Sequence, residues 1–170
     1  SLPIEKKVLT IGMFGENVDF FSLKGVICTL FDRLGIRDYE FIPEKHHPTF
    51  HPGRCATIVY GNHILGSLGE LHPDVLENYG IDKRVYIADI DFNIILQLTR
   101  LDRIYKSLPK YPSTSRDIAI VVKEEVYAKD IEDIIKENGG KLLEKYSLFD
   151  VYRGKQIPKG YKSMAYSLIF

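Results

Sequence analysis

The sequence lacks the patterns that mark a disulfide framework, a metal-binding cysteine cluster or a membrane protein. It has only two cysteines, Cys28 and Cys55, which lie far apart and match no metal-ligand spacing. No apolar run approaches the roughly 18 residues that a membrane-spanning helix needs. The chain begins Ser-Leu-Pro, with no Met, basic n-region or apolar h-region, so no signal peptide is predicted. These absences predict a cytoplasmic protein with two free thiols that is a segment of something longer.

The sequence also has no excess of charge of either sign. Its 23 Lys and Arg residues balance 23 Asp and Glu residues, so no global positive field draws the chain onto nucleic acid. Any RNA contact must therefore come from a local surface. A length of 170 residues with 45% hydrophobic and 27% charged residues is typical of a globular protein with one good core or two small ones.

The first two-thirds of the chain alternate extended and helical patterns. Strands are predicted at 7–14, 39–42, 55–60, 63–71 and 85–90, and helices at 20–34, 73–79 and 92–98. Asp19 is the expected N-cap of the first helix and Gly35 its stop, and Gly61-Asn62 is the expected hairpin turn. A loop rich in Pro and His is predicted at 46–54. The pattern indicates an α+β module built around an antiparallel sheet.

The character of the sequence changes at 100–115, where charges, Pro109 and Pro112 predict an extended linker. We place the domain boundary near residue 105, which gives domains at 1–104 and 105–170. The second domain is predicted to contain strands at 116–122, 142–153 and 162–170 and a helix at 128–138 that ends at Gly139-Gly140.

One face of the last strand is unusually small and polar. Because alternate residues point to opposite sides of a strand, the last strand has a core face and a second, opposite face. The core face carries Met164, Tyr166, Leu168 and Phe170, and the second carries Ser163, Ala165 and Ser167. We call the side of the sheet with the small residues the open face, because a ligand could approach the backbone closely there.

The preceding strand adds a carboxylate and an aromatic ring to the open face. If Phe149 and Val151 face the helix, Asp150 and Tyr152 lie beside Ser163. An RNA base can stack on a tyrosine while a carboxylate accepts hydrogen bonds from the N1–H and N2–H₂ edge of guanine. The expected basic rim for phosphates consists of Arg153, Lys155, Lys159 and Lys162. The alternative is a solvated sheet face beside a turn of ordinary surface lysines.

These residues also carry a family resemblance. The segments YPSTSRDIAIVV and LFDVYRGKQIPKGYKSMAYSLIF resemble the ferredoxin-fold anticodon-binding domain of bacterial phenylalanyl-tRNA synthetase β subunits. Upstream, DFFSLKG, HPGRCA and LGELHPDVLENYGI followed by VYIADID resemble the end of that family's catalytic-like module. The resemblance spans essentially the whole chain in order.

The resemblance implies a fold as well as a function. The fold is α+β, with an antiparallel-sheet, class II synthetase-like, non-catalytic module before a ferredoxin-like β-α-β-β domain that lacks its last helix and strand. The family's enzyme is an α₂β₂ tetramer that attaches phenylalanine to its tRNA through an ATP-activated adenylate, with catalysis in the α subunit. ATP and Mg²⁺ would serve that holoenzyme, and no cofactor, metal ligand or catalytic residue is expected here.

The resemblance also implies partners and site residues. The partners are the anticodon arm of the phenylalanine tRNA and the α subunit. Asp150, Tyr152, Ser163 and Ala165 would contact the anticodon.

Two other functions stay open on the residues alone. One is a stand-alone ferredoxin-like regulatory or ligand-binding module. The other is an enzyme that uses His46, His47 and His51, although that loop lacks an acidic third ligand and is expected to be structural. Glu70 and His72 are expected at a hydrogen-bonded strand end. Arg54 would either bridge to the α subunit or brace the hairpin.

Overall fold

The computed structural model describes residues 5–102 and 112–170, which fall in two units, within 1–105 and within 106–170. The predicted boundary near residue 105, and much of the predicted linker, lie outside the described residues.

The first unit is an antiparallel sheet with three helices. Its elements in chain order are β1 (Val8–Phe14), α1 (Phe20–Arg33), β2 (Tyr39–Pro43), β3 (Phe50–Tyr60), β4 (His63–Leu71), α2 (Pro73–Asn78), β5 (Val85–Asp91) and α3 (Phe92–Leu98). The five strands lie in the order β1-β5-β4-β3-β2. Leu23, Ile27 and Phe31 of α1 are fully buried in one core with residues such as Ile58 and Leu68 of the sheet.

The ends of α1 form as the sequence predicts. The Asp19 carboxylate accepts a hydrogen bond from the Ser22 backbone N–H at 2.7 Å, and the hydrogen bonds to Ser22 hold the pKa of Asp19 below its usual value. Gly35 follows the helix with φ +69°, and a Cβ there would overlap the backbone oxygen of Arg100. Glycine is therefore required at this stop both for its conformation and for the close approach of the chain.

The predicted loop at 46–54 is wrong from Phe50 onward, where β3 begins. The pairing of β3 with β4 shifts register between Phe50 and Cys55, and this irregularity accommodates Pro52, which has no N–H for the ladder. Phe50 and Cys55 are buried in a second small core. Burial raises the pKa of the Cys55 thiol to about 11, and Cys28 and Cys55 are both free.

The second unit is an antiparallel sheet with a helix on one face. Its described elements are β6 (Ser115–Lys123), α4 (Ala128–Asn138), β7 (Lys145–Tyr152) and β8 (Tyr161–Ile169), and the strand order is β6-β8-β7. Ile131 and Ile135 of α4 pack against Met164 and Tyr166 of β8. The Tyr166 hydroxyl donates to the Ala128 carbonyl at 3.2 Å, and burial raises the pKa of Tyr166 to about 12. The prediction of a mixed α+β protein with antiparallel sheets is confirmed.

Candidate nucleic-acid interface

The faces of β8 separate as the alternation predicts. Met164 and Tyr166 are buried beneath α4, whereas Ser163, Ala165 and Ser167 lie half-buried on the opposite side. Within the part of the chain that the structure describes, no helix packs on that opposite side. The open face is therefore a strip of small side chains along the central strand of the sheet.

The register of β7 and β8 brings four predicted site residues together. Asp150 is paired with Ala165, and Tyr152 is paired with Ser163. Side chains of directly paired residues have Cβ atoms about 4.5–5.5 Å apart, so these four residues form one continuous patch. Asp150 and Tyr152 are thus successive residues on one face of β7, next to two small residues on the neighbouring strand.

The path of β7 differs from the predicted alternation at Phe149. A register shift between Leu148 and Asp150 makes Phe149 the extra residue of a β-bulge, and its side chain is 59% exposed instead of facing the helix. Val151 packs in the core as predicted, and Leu148, which the alternation had placed with Asp150 and Tyr152, packs there in place of Phe149. Asp150 reaches the open face because the bulge resets the alternation after it. The strand also begins at Lys145, three residues later than predicted.

The polar groups of this patch have no partners within the described residues. The Asp150 carboxylate and the Tyr152 hydroxyl make no hydrogen bond or ion pair there, and Tyr152 is 45% exposed. A carboxylate and a phenol that no described residue engages are available to hydrogen-bond and stack with a ligand.

The predicted basic rim is only partly present. Lys162 lies on the core side of β8, is 9% exposed and donates to the Glu124 carbonyl at 2.8 Å, so the expectation that it lies on the rim is wrong. Alternation places Lys162 with Met164, and the carbonyl after β6 supplies its partner. Arg153 is exposed, but its Nε lies 2.7 Å from a Glu124 carboxylate oxygen. Lys155 and Lys159 are exposed and make no ion pair with any described residue.

Some further residues of the open face were missed from the sequence. Tyr161 is the first residue of β8, lies on the same side as Ser163 and is 40% exposed. Asp117 and Val121 of β6 are paired with Ser167 and Ser163. Beginning β8 one residue earlier, and extending the alternation to β6, would have identified them.

The histidine-rich segment serves local structure. The Nδ1 atoms of His47 and His51 accept hydrogen bonds from the backbone N–H groups of Thr49 and Gly53 at 3.3 and 3.1 Å. No group of three or more His, Cys, Asp or Glu side chains that could hold a metal occurs among the described residues. The same residues include no helix that is both long and apolar enough to cross a membrane.

A groove in the first unit is the other concave surface to consider. It has a volume of about 640 Å³ and includes Arg54, Glu70 and Arg84 in its lining. Arg54 Nη1 donates hydrogen bonds to both oxygens of the buried Glu70 carboxylate, at 2.7 and 2.8 Å. Arg54 therefore braces the β3–β4 hairpin. His72 caps α2 through its Nδ1, as expected for a strand end that leads into a helix. This polar cluster is internally satisfied and supplies no nucleophile or paired carboxylates.

Comparisons with known proteins identify the family of the chain. Residues 1–92 match the family model described as the phenylalanyl tRNA synthetase beta chain CLM domain, and residues 109–170 match the ferredoxin-fold anticodon binding domain. The protein named Phenylalanine--tRNA ligase beta subunit from Clostridium acetobutylicum is 48% identical over 169 residues, which cover 99% of this chain and 21% of the relative. Its namesake from Clostridium tetani is 47% identical with the same coverage. The namesake from Bacillus subtilis is 38% identical over 151 residues, which cover 89% of this chain and 19% of the relative.

The chain thus spans about a fifth of the length of the relatives it matches. The first family model covers more than half of the chain and the second covers the unit that carries the open face. The chain therefore belongs to the phenylalanyl-tRNA synthetase β-chain family, in which it joins a CLM domain to a ferredoxin-fold anticodon-binding domain.

Proposed function

We propose that the open face binds the anticodon stem and loop of the phenylalanine tRNA. The observation that carries this proposal is the patch of Asp150 and Tyr152 beside Ser163 and Ala165, with no protein partner for the carboxylate or the ring hydroxyl in the described residues. The match of residues 109–170 to an anticodon-binding domain supports the same assignment. Recognition would be local, since the chain as a whole carries no net charge.

The chemistry of the patch suits a guanine base. An anticodon that pairs with the phenylalanine codons UUU and UUC carries guanine at its first position. Tyr152 would stack on that base, and Asp150 would accept hydrogen bonds from its N1–H and N2–H₂ groups. Ser163 and Ala165 would let the base approach the β8 backbone, while Lys155 and Arg153 would face the phosphates.

The first unit would act as a structural, subunit-interface module. Its five-stranded antiparallel sheet with flanking helices supports a class II synthetase-like architecture, and its described residues contain no catalytic constellation. We propose that the chain works within a cytoplasmic α₂β₂ ligase that attaches phenylalanine to tRNA with ATP and Mg²⁺, catalysis residing in the α subunit. The alternative of a stand-alone regulatory module is not favoured, because the anticodon-binding domain follows a synthetase β-chain domain in the same chain.

The test is the dissociation constant for phenylalanine tRNA of the assembled ligase that carries this sequence. Stacking on an aromatic side chain contributes about 1–3 kcal/mol per base. Tyr152→Ala should therefore weaken binding roughly 5- to 150-fold, while Tyr152→Phe, which keeps the ring, should stay close to wild type. Asp150→Ala should weaken binding by about 1 kcal/mol or more.

The matched control for Asp150 is Glu137→Ala, an exposed carboxylate on α4, which lies on the other side of the sheet. It should leave tRNA affinity unchanged. Equal affinities of the wild-type, Asp150→Ala and Tyr152→Ala enzymes would refute the proposed role of the open face.

A further inference from the structure

The ring of Tyr152 occupies the space in which a side chain at position 154 would begin. A Cβ built on Gly154 would overlap Oη and Cζ of Tyr152 and would lie 2.6 Å from its Cε1. Real Cβ atoms do not approach other heavy atoms this closely. The side chain of Tyr152 therefore extends past the end of β7, and its hydroxyl end rests on the backbone of Gly154.

Backbone conformation does not account for this glycine. Gly140 and Gly160 in the same unit have φ values of +67° and +86°, which favour glycine, whereas Gly154 is not among the residues with positive φ. The φ value at position 154 is therefore one that residues with a side chain adopt. The three atoms nearest to a Cβ at this position all belong to the Tyr152 side chain.

Hydrogen bonds hold the backbone around Gly154 in place. The Gly154 carbonyl accepts from the Ile157 N–H at 3.0 Å, which closes the turn after β7. The preceding residue, Arg153, is paired through Nε with the Glu124 carboxylate at 2.7 Å, and Lys162 donates to the Glu124 carbonyl at 2.8 Å. With the turn held by these contacts, a new methyl group at position 154 would displace the ring rather than the backbone.

We propose that Gly154 is a positioning residue that sets the orientation of the Tyr152 ring on the open face. The hydroxyl end of the ring rests on Gly154, and 45% of the residue's surface is exposed. A ring held in one orientation loses less rotamer freedom when a base stacks on it. The effect of Gly154 on RNA affinity rests on the proposed function, but its effect on the ring does not.

A double-mutant cycle on tRNA affinity tests the coupling. The assembled ligase is prepared as wild type, Gly154→Ala, Tyr152→Ala and the double variant, and the dissociation constant for phenylalanine tRNA is measured for each. Gly154→Ala alone should weaken binding about 3- to 10-fold. In the Tyr152→Ala background the same change should alter binding by less than about twofold, because no ring remains to be displaced.

Two outcomes of the cycle would overturn the proposal. Equal losses from Gly154→Ala in both backgrounds would mean that Gly154 acts independently of Tyr152. A gain in affinity from Gly154→Ala would mean that the resting position of the ring obstructs the ligand.

A measurement without RNA separates this proposal from the proposed function. With 3-fluorotyrosine at position 152 of the 170-residue chain, Gly154→Ala should shift the ¹⁹F resonance. Gly25→Ala, where a Cβ meets nothing within 4 Å, should not. If Tyr152→Ala leaves tRNA affinity unchanged, the proposed function fails while the ¹⁹F shift still tests the contact with Gly154. An unchanged resonance in Gly154→Ala would refute the contact itself.

The same variants also test the contact if Gly154→Ala destabilises the fold. If Gly154→Ala lowers the melting temperature of the chain, the Tyr152→Ala change should restore it, since the overlap is then removed. Failure of Tyr152→Ala to restore the melting temperature would contradict the contact.

Discussion

Replacing Ala165 with tryptophan is expected to weaken binding of phenylalanine tRNA to the assembled ligase by tenfold or more. Ala165 lies on the central strand, paired on one side with Asp150 and on the other with Ala119. A large ring at this position would fill the space above the backbone that the small side chains of β8 leave open. A base excluded from the patch would give up its stacking free energy of about 1–3 kcal/mol, and 1.4 kcal/mol corresponds to a factor of ten in affinity.

The matched control is Ile134→Trp on α4. Ile134 is 56% exposed on the helix that covers the core face, so the same ring is added on the other side of the sheet. This variant should bind tRNA like the wild type. Both variants should retain the wild-type melting temperature to within a few degrees, because neither position is in the core. Equal tRNA affinity of the Ala165→Trp and Ile134→Trp enzymes would show that the small strip of β8 is not part of the binding surface.

Removing Arg54 is expected to lower the free energy of unfolding of the chain by about 1–3 kcal/mol. The Glu70 side chain is 6% exposed, and Arg54 Nη1 contacts both of its carboxylate oxygens. Loss of its main partner would leave the buried Glu70 charge with Arg84 Nε at 3.9 Å, whereas removal of one partner of a fully buried ion pair costs about 3–5 kcal/mol. Because the Arg54 side chain is 43% exposed, water screens and partly replaces the lost contact. The expected loss is therefore about 1–3 kcal/mol rather than the cost at a fully buried site.

Two variants make this prediction specific. Arg84→Ala removes a cation that is 71% exposed and whose Nε lies 3.9 Å from Glu70, so it should cost less than about 0.5 kcal/mol. The double variant Arg54→Met/Glu70→Met replaces both partners with apolar groups and should recover most of the stability lost in Arg54→Ala. Urea unfolding of the chain measures all of these values. Equal destabilisation by Arg54→Ala and Arg84→Ala would contradict the brace.

Features governed by local rules could be predicted from the sequence. The cap at Asp19, the stop at Gly35 and the turn at Gly61 follow from side-chain and backbone preferences over a few residues. The division of β8 into a core face and an open face follows from strict alternation over nine residues. These rules placed Ser163 and Ala165 on the open face without any knowledge of their neighbours.

Features that depend on pairing between distant segments could not be predicted in the same way. The bulge at Phe149 is a property of how β7 pairs with β8, and it reverses the side on which Phe149 points. The burial of Lys162 depends on the Glu124 carbonyl, which lies 38 positions earlier in the chain. The contact between the Tyr152 ring and Gly154 depends on a side-chain rotamer and on the turn that follows β7.

The reactivity of the anticodon guanine in the complex reports directly on whether Asp150 binds that base. Kethoxal modifies the N1 and N2 edge of unpaired guanine, which is the edge that Asp150 is proposed to bind. In tRNA bound to the wild-type ligase this guanine should be protected. In tRNA bound to the Asp150→Ala ligase at saturating enzyme, it should regain most of its reactivity while protection elsewhere on the tRNA persists. Unchanged protection of the anticodon guanine in the Asp150→Ala complex would show that Asp150 does not bind this edge of the base.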